Sequence, residues 1–184
     1  MGARRFTLLE LLVVVGIIGI LAALIFPAFK MVRDSSRSTN CKNNLHSFSS
    51  VMQMYFHDYN DALPTVALDL SVTPDYPRLC DVLAPYITNQ KAFQCPADRG
   101  DSPYYPEKEI YFNTQGSSYA FNTQLANMLA GEDKKKYTDS HMVQERGLSK
   151  VHIMYDYRCF HGKPTTSGSS NYLFLDGHVG DLTD

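Results

Sequence analysis

Residues Phe6 to Phe29 read FTLLELLVVVGIIGILAALIFPAF, a long apolar segment close to the N-terminus with one carboxylate, Glu10. As a helix rising about 1.5 Å per residue it would span about 36 Å, enough to cross the ~30 Å hydrocarbon core of a bilayer with some tilt. A charged residue at the centre of such a helix costs roughly 2.5–3.5 kcal/mol on insertion scales. Glu10 lies only five positions after Arg5, near an interface, so it costs less, but it still asks for a partner. A secretory signal has a shorter apolar stretch and a small-x-small cleavage site, to which Ala22-Ala23-Leu24 is a poor fit. An ordinary single-span anchor explains the apolar run but not Phe6, Glu10 and Pro27 together.

Working outward, about 150 residues follow this segment, the size of one domain with a real core. The formal net charge of the whole chain is −2. The only basic run, Lys134-Lys135-Lys136, sits beside Glu132 and Asp133 and reads as a solvated face, so no nucleic-acid partner is expected. Arg4 and Arg5 precede the apolar span while Lys30, Arg33 and Arg37 follow it, so charge alone does not orient it.

Beyond a polar stretch from Met31 to Asn44, apolar residues recur at Leu45, Phe48, Met52, Tyr55 and Tyr59. The spacings of 3 and 4 predict a helix with one face packed against a sheet. Turn residues at Asp58 to Asp61 end it, and Pro64 stops it. A short helix fits Pro77 to Ile87, followed by a strand end and turn over Phe93 to Asp98. Arg99 to Gly116 reads as loop, Ser117 to Asn122 as a weak strand and Thr123 to Ala130 as a short helix. Gly131 to Gly147 reads as an exposed charged stretch, Val151 to Asp156 as a strand, and Pro164 to Ser170 as a loop. The clearest β signal is C-terminal. Asn171 to Leu175 and His178 to Leu182 flank Asp176-Gly177, which suits a two-residue type I′ turn. The expected fold class is α+β, a long N-terminal helix laid on an antiparallel sheet.

The N-terminal segment resembles that of type IV pilins and type II secretion pseudopilins. The matching residues are Phe6-Thr7-Leu8-Leu9-Glu10, the Leu/Val/Ile/Gly run behind them, and Pro27, the twenty-second residue counted from Phe6. The resemblance implies cleavage by a membrane prepilin peptidase between Arg5 and Phe6, N-methylation of Phe6, and pairing of Glu10 with the amino terminus of a neighbouring subunit. It implies a leader over 1–5, a transmembrane assembly helix over 6–29 and an extracytoplasmic pilin-like domain over 30–184. The N-terminus would be cytoplasmic, in a single-pass protein of the inner membrane that joins a periplasmic or extracellular filament. The family usually has Gly before the Phe. Here Arg5 stands there, and Gly2 is displaced by three residues.

A narrower resemblance covers nearly the whole chain. Cys41-Lys-Asn-Asn-Leu45, Tyr59-Asn-Asp-Ala-Leu-Pro64, Cys95-Pro-Ala-Asp98, Ser118-Tyr119, Asn122 and Asn171 to Val179 look like a bacterial group of prepilin-like proteins. That group is named for a C-terminal His followed by nine residues and Asp-Gly. Here fourteen residues separate His161 from Asp176-Gly177, an insertion the Pro164–Ser170 loop would absorb.

The four cysteines are Cys41, Cys80, Cys95 and Cys159. Outside the cytoplasm disulfides are allowed, and four cysteines have three full pairings. Cys80 and Cys95 flank one candidate helix, which favours that bridge and leaves Cys41–Cys159 to tie the long helix to the sheet. Free buried thiols are the alternative, and a zinc site matches no common spacing. Asp156, His161, Asp176 and His178 are candidates for a divalent metal at one end of the sheet. Against this, Asp176 is explained by its turn and His178 by its strand. No nucleophile motif, phosphate loop or paired carboxylates appear, so neither enzymatic activity nor a cofactor is expected. The expected function is a structural subunit, pilin-like or pseudopilin, of a type IV filament or type II secretion system, partnered by the peptidase, the membrane and related subunits. The alternative is a membrane-tethered binding module that uses the segment only for export.

Overall fold

The computed structural model describes residues 7–67, 69, 75–125 and 136–182. Arg5 and Phe6, and with them the expected cleavage and methylation point, lie outside the described residues, as do 126–130 of the expected Thr123–Ala130 helix. The chain divides into two units between Ser36 and Arg37.

Helix α1 (Leu8–Asp58) continues through Pro27. In the first unit every side chain described from Thr7 to Ser36 is exposed. By length and composition α1 contains an apolar stretch long enough to cross a membrane.

In the second unit the remainder of α1 buries a stripe. Leu45 and Phe48 are wholly buried, and Met52 and Tyr55 nearly so. Tyr59 departs from the expected pattern. It lies just past the helix end, is about half exposed, and stacks on Tyr55 with ring centroids 4.3 Å apart. Asn60 and Asp61 end the helix in the left-handed region, at φ 54° and 62°, where short polar side chains are tolerated. The Asp61 N–H closes the end on Phe56 O.

Among the described residues the sheet holds four strands, β1 (Tyr119–Phe121), β2 (His152–Asp156), β3 (Tyr172–Phe174) and β4 (Val179–Gly180), in the order β1-β2-β3-β4 with every neighbouring pair antiparallel. Tyr119 lies opposite Asp156, and Tyr155 opposite Tyr172, with an irregularity between His152 and Met154. Phe48 of α1 meets Tyr119 edge-on at 5.6 Å and Phe93 at 5.0 Å, so the helical stripe packs on the sheet as its spacing predicts. A long N-terminal helix with a small antiparallel sheet is the expected α+β arrangement.

Several local expectations need correction. Four residues, Leu175 to His178, separate β3 from β4: Phe174 N–H bonds His178 O, so that pair closes a three-residue turn, Leu175 to Gly177, in which Gly177 N–H bonds Phe174 O. Gly177 has φ 91° and Asp176 stays out of the left-handed region. A type I′ turn needs positive φ at both central residues, so the hairpin uses the longer form with glycine in the left-handed position. His178 therefore precedes its strand. Phe93 closes a 3₁₀ helix (Gln90–Phe93) rather than a strand; α2 (Leu79–Leu83) lies within the short helix expected over Pro77 to Ile87, and α3 (Tyr111–Gln115) is a helix in the stretch from Arg99 to Gly116 that reads as loop. Within the charged stretch, α4 (His141–Arg146) buries Val143.

Candidate functional site

The N-terminal end of α1 is the first candidate. Thr7 immediately precedes the helix and its Oγ1 accepts from the Glu10 N–H at 3.2 Å, while Glu10 Oε2 accepts from the Thr7 N–H at 2.9 Å. Thr7 Oγ1 also donates to Glu10 Oε2 at 2.8 Å. These reciprocal bonds form a capping box, which satisfies donors the first helical turn would otherwise leave open. The signal for it lies in Thr7-Leu8-Leu9-Glu10, a Thr three residues before a Glu at the head of an apolar run. Glu10 thus has a partner inside its own chain. Behind it, Leu8, Leu9, Leu11 and Leu12 are all more than half exposed, and a Cβ added at Gly16 or Gly19 would meet nothing within 4 Å. Chemically this segment can pack against lipid or other helices, with one carboxylate near its end.

The second candidate lies in the globular unit. Cys41 and Cys95 form a disulfide with Cα atoms 5.1 Å apart, and Cys80 and Cys159 are free. The expected Cys80–Cys95 and Cys41–Cys159 bridges are therefore wrong. Cys41 precedes Leu45 by four residues and so continues the buried stripe one turn toward the N-terminus, and it faces the core. Cys95 follows Phe93, which packs on that same stripe. Closeness along the chain misled, because Cys80 instead faces Gly116, where a Cβ would stand 2.6 Å from its sulfur. Asn44 braces the bridge region, donating to Gln94 O at 3.0 Å and to Tyr119 Oη at 3.1 Å.

The four residues singled out for a metal fall into two pairs. His178 Nδ1 lies 2.6 Å from Asp176 Oδ1 within the partly exposed hairpin loop, and its ring stacks on Phe174. The Asp176 carboxylate also accepts the His178 N–H, so this pair serves the turn. The side chains of Asp156 and His161 are buried instead, with Asp156 Oδ2 3.3 Å from His161 Nε2. They lie beside the disulfide: Cys95 Sγ is 3.7 Å from the same nitrogen.

A further buried carboxylate, Asp98, escaped the sequence reading. It accepts from Tyr111 N–H at 3.2 Å, Phe112 N–H at 2.9 Å and Ser118 Oγ at 2.7 Å, and so ties the turn after Cys95 to the start of α3 and to the approach to β1. Burial, the largest influence, lifts its carboxyl above the ordinary value, against the pull of these donors.

Part of the chain is similar to a type IV pilin. Over 72 residues it is 35% identical to the type IV major pilin protein PilA of Myxococcus xanthus (strain DK1622), a stretch making up 39% of this chain and 32% of that relative. The chain thus spans about a third of the length of the curated relative it matches. No family model and no solved structure matches.

Proposed function

We propose that the chain is a structural, pilin-like subunit of a type IV filament or of the related type II secretion assembly. The observation that carries this reading is the exposed apolar part of α1, headed by Thr7 and Glu10, on a chain partly similar to a pilin. In this reading prepilin peptidase removes residues 1–5 and methylates Phe6. Residues 6–29 hold the subunit in the inner membrane, with the N-terminus cytoplasmic and 30–184 outside. On assembly the apolar helices pack together, and Glu10 pairs with the Phe6 amine of a neighbour, which offsets the cost of a carboxylate in an apolar bundle. Intact-mass analysis of membrane-extracted protein tests the processing step: a mature chain starting at Phe6 with one added methyl is expected, and one retaining Met1 or Gly2 refutes it.

Assembly is tested by three variants that separate capping from charge. Glu10→Gln keeps a capping-box residue but loses the charge, Glu10→Leu loses both, and Thr7→Val weakens the cap and keeps the charge. If the charge registers subunits, both Glu10 variants lower the ratio of filament-associated to membrane-resident protein, and Thr7→Val changes it little. Full incorporation of Glu10→Leu would refute the registration role, and a parent chain that stays membrane-resident and never enters filaments would favour the tethered-module reading.

A further inference from the structure

The metal-binding chemistry of the globular unit converges where α1 passes the loop after β2. Cys41 Sγ, Cys95 Sγ and a ring nitrogen of His161 all lie within 4.8 Å of one another. Both cysteines are wholly buried, and the side chains of His161 and Asp156 are 3% and 0% exposed. A disulfide in an apolar core needs no polar neighbours, and burying an imidazole and a carboxylate beside it is costly unless each polar atom is satisfied. One is not. Asp156 Oδ2 accepts from Asn171 N–H and Nδ2, both at 2.8 Å, but Oδ1 is buried with no hydrogen-bond partner among the described residues.

The spacings are those of a coordination shell. With zinc bonds of about 2.3 Å to sulfur and 2.0–2.2 Å to nitrogen or oxygen, neighbouring ligand atoms of a tetrahedral site stand roughly 3.3–3.8 Å apart. The Cys95–His161 separation of 3.7 Å is an edge of that length, and Asp156 Oδ2 lies just outside it, 3.3 Å from His161 Nε2. The two sulfurs are closer because they are bonded to each other.

We propose that Cys41, Cys95 and His161 form a zinc-type metal site when the disulfide is reduced, so that the bridge and the metal are alternative states of one cluster. A dithiol reductant supplies two electrons and two protons. The S–S bond breaks, two thiols form, and the reductant closes to its own disulfide. A divalent cation then displaces both thiol protons to solvent and binds two thiolates and the neutral imidazole at Nε2. Water takes the fourth position, and the unpartnered Asp156 Oδ1 accepts its hydrogen bond. A disulfide oxidant reverses the change: it takes up two electrons, the bridge re-forms and the metal leaves. This inference rests on the globular unit and not on the filament reading.

The test uses the full chain in detergent micelles, with Cys80→Ser and Cys159→Ser removing the free thiols. After reduction with a phosphine and anaerobic removal of the excess, Co²⁺ is titrated in as a spectroscopic substitute for Zn²⁺. Thiolate-to-cobalt absorption should saturate at one ion per chain, bleach on addition of Zn²⁺, and be absent from the oxidised protein. His161→Ala should weaken binding about 10-fold or more, by analogy with losses from zinc-supporting groups. Circular dichroism follows folding in parallel. The proposal is overturned if the folded, reduced protein gives no such absorption, or if reduction unfolds the chain and cobalt does not restore it. Absorption that is equal in the oxidised protein, or unchanged by His161→Ala, overturns it too.

Discussion

Breaking the Cys41–Cys95 bridge tests the packing of α1 on its domain. The bridge spans 54 positions, from the start of the buried stripe to the segment after the 3₁₀ helix. In the chain-entropy model, a closed loop of that length restricts the unfolded chain by about 4 kcal/mol. For a domain of this size each kcal/mol shifts the melting temperature by about 2–4 °C, so the loss should be ~8–16 °C. The assay is thermal and urea unfolding of the full chain in micelles, oxidised and reduced, with a chelator present so that no metal replaces the bridge. Cys41→Ala, Cys95→Ala and the double variant should lose similar amounts, because either change removes the same covalent link. The double should therefore fall far short of the sum of the singles. Cys80→Ser and Cys159→Ser should each stay within about 1 kcal/mol of the parent, since neither is bridged. Non-reducing peptide mapping reads the pairing directly. A Cys80–Cys95 peptide, or a melting temperature unchanged by reduction, would refute the argument that the helical stripe carries Cys41 to Cys95.

Four further outcomes are expected. Gly177→Ala should destabilise by about 1–2 kcal/mol in thermal unfolding, because its φ is 91° and the new Cβ would stand 2.5 Å from Ser49 Oγ; adding Ser49→Ala should recover only the steric part. Asp98→Ala should cost about 2–4 kcal/mol by stranding two backbone donors and the Ser118 hydroxyl. The folded state raises the Asp98 pKa, so its stabilising effect is fully present below the unfolded value near 4 and is lost as pH rises through the folded value; unfolding free energies from pH 3 to 7 should show that fall in the parent and not in Asp98→Asn. Arg158→Lys should cost about 1 kcal/mol, read from urea midpoints. The guanidinium lies 5.1 Å from the Tyr105 ring centroid and donates to Tyr111 Oη at 2.8 Å, a planar contact an ammonium does not reproduce.

The parts of this fold that rest on periodicity were legible in the sequence. The 3–4 spacing of Leu45, Phe48, Met52 and Tyr55 located the buried face of α1, and β-rich runs located β2 and β3. What was not legible depends on three-dimensional proximity. The stripe was started at Leu45. Extended one turn to Cys41, it places that sulfur in the core, but no one-dimensional rule says that Cys95 rather than Cys80 or Cys159 meets it. Asp98 was hidden for the same reason, since its donors lie 13 to 20 residues away. The Asp176-Gly177 dipeptide failed differently. It promised a positive φ, which Gly177 supplies, but the register is set by the Phe174–His178 pair and adds one residue to the loop.

Glu10 shows how local geometry changes the meaning of a sequence signal. Read from the chain alone, it is a carboxylate in an apolar helix that must find a partner in another molecule. In the structure both its backbone and its side chain already bond Thr7. A cap of this kind is worth about 1 kcal/mol, so a neighbour's amine need not rescue an unsatisfied group. It has only to interact with a carboxylate that the first turn already holds in place. Carboxylate oxygens accept several bonds each, so capping and intermolecular pairing can coexist on one side chain. The cap then acts as preorganisation: it fixes the rotamer before the neighbour arrives and reduces the entropy lost on pairing. This predicts a graded result from the three N-terminal variants. Thr7→Val should slow the rate of incorporation modestly, by loosening the Glu10 side chain, while leaving the final filament-to-membrane ratio nearly unchanged; Glu10→Gln, correctly capped but uncharged, should fail to register. If Glu10→Gln instead assembles like the parent while Thr7→Val fails, the cap rather than the charge is what assembly requires.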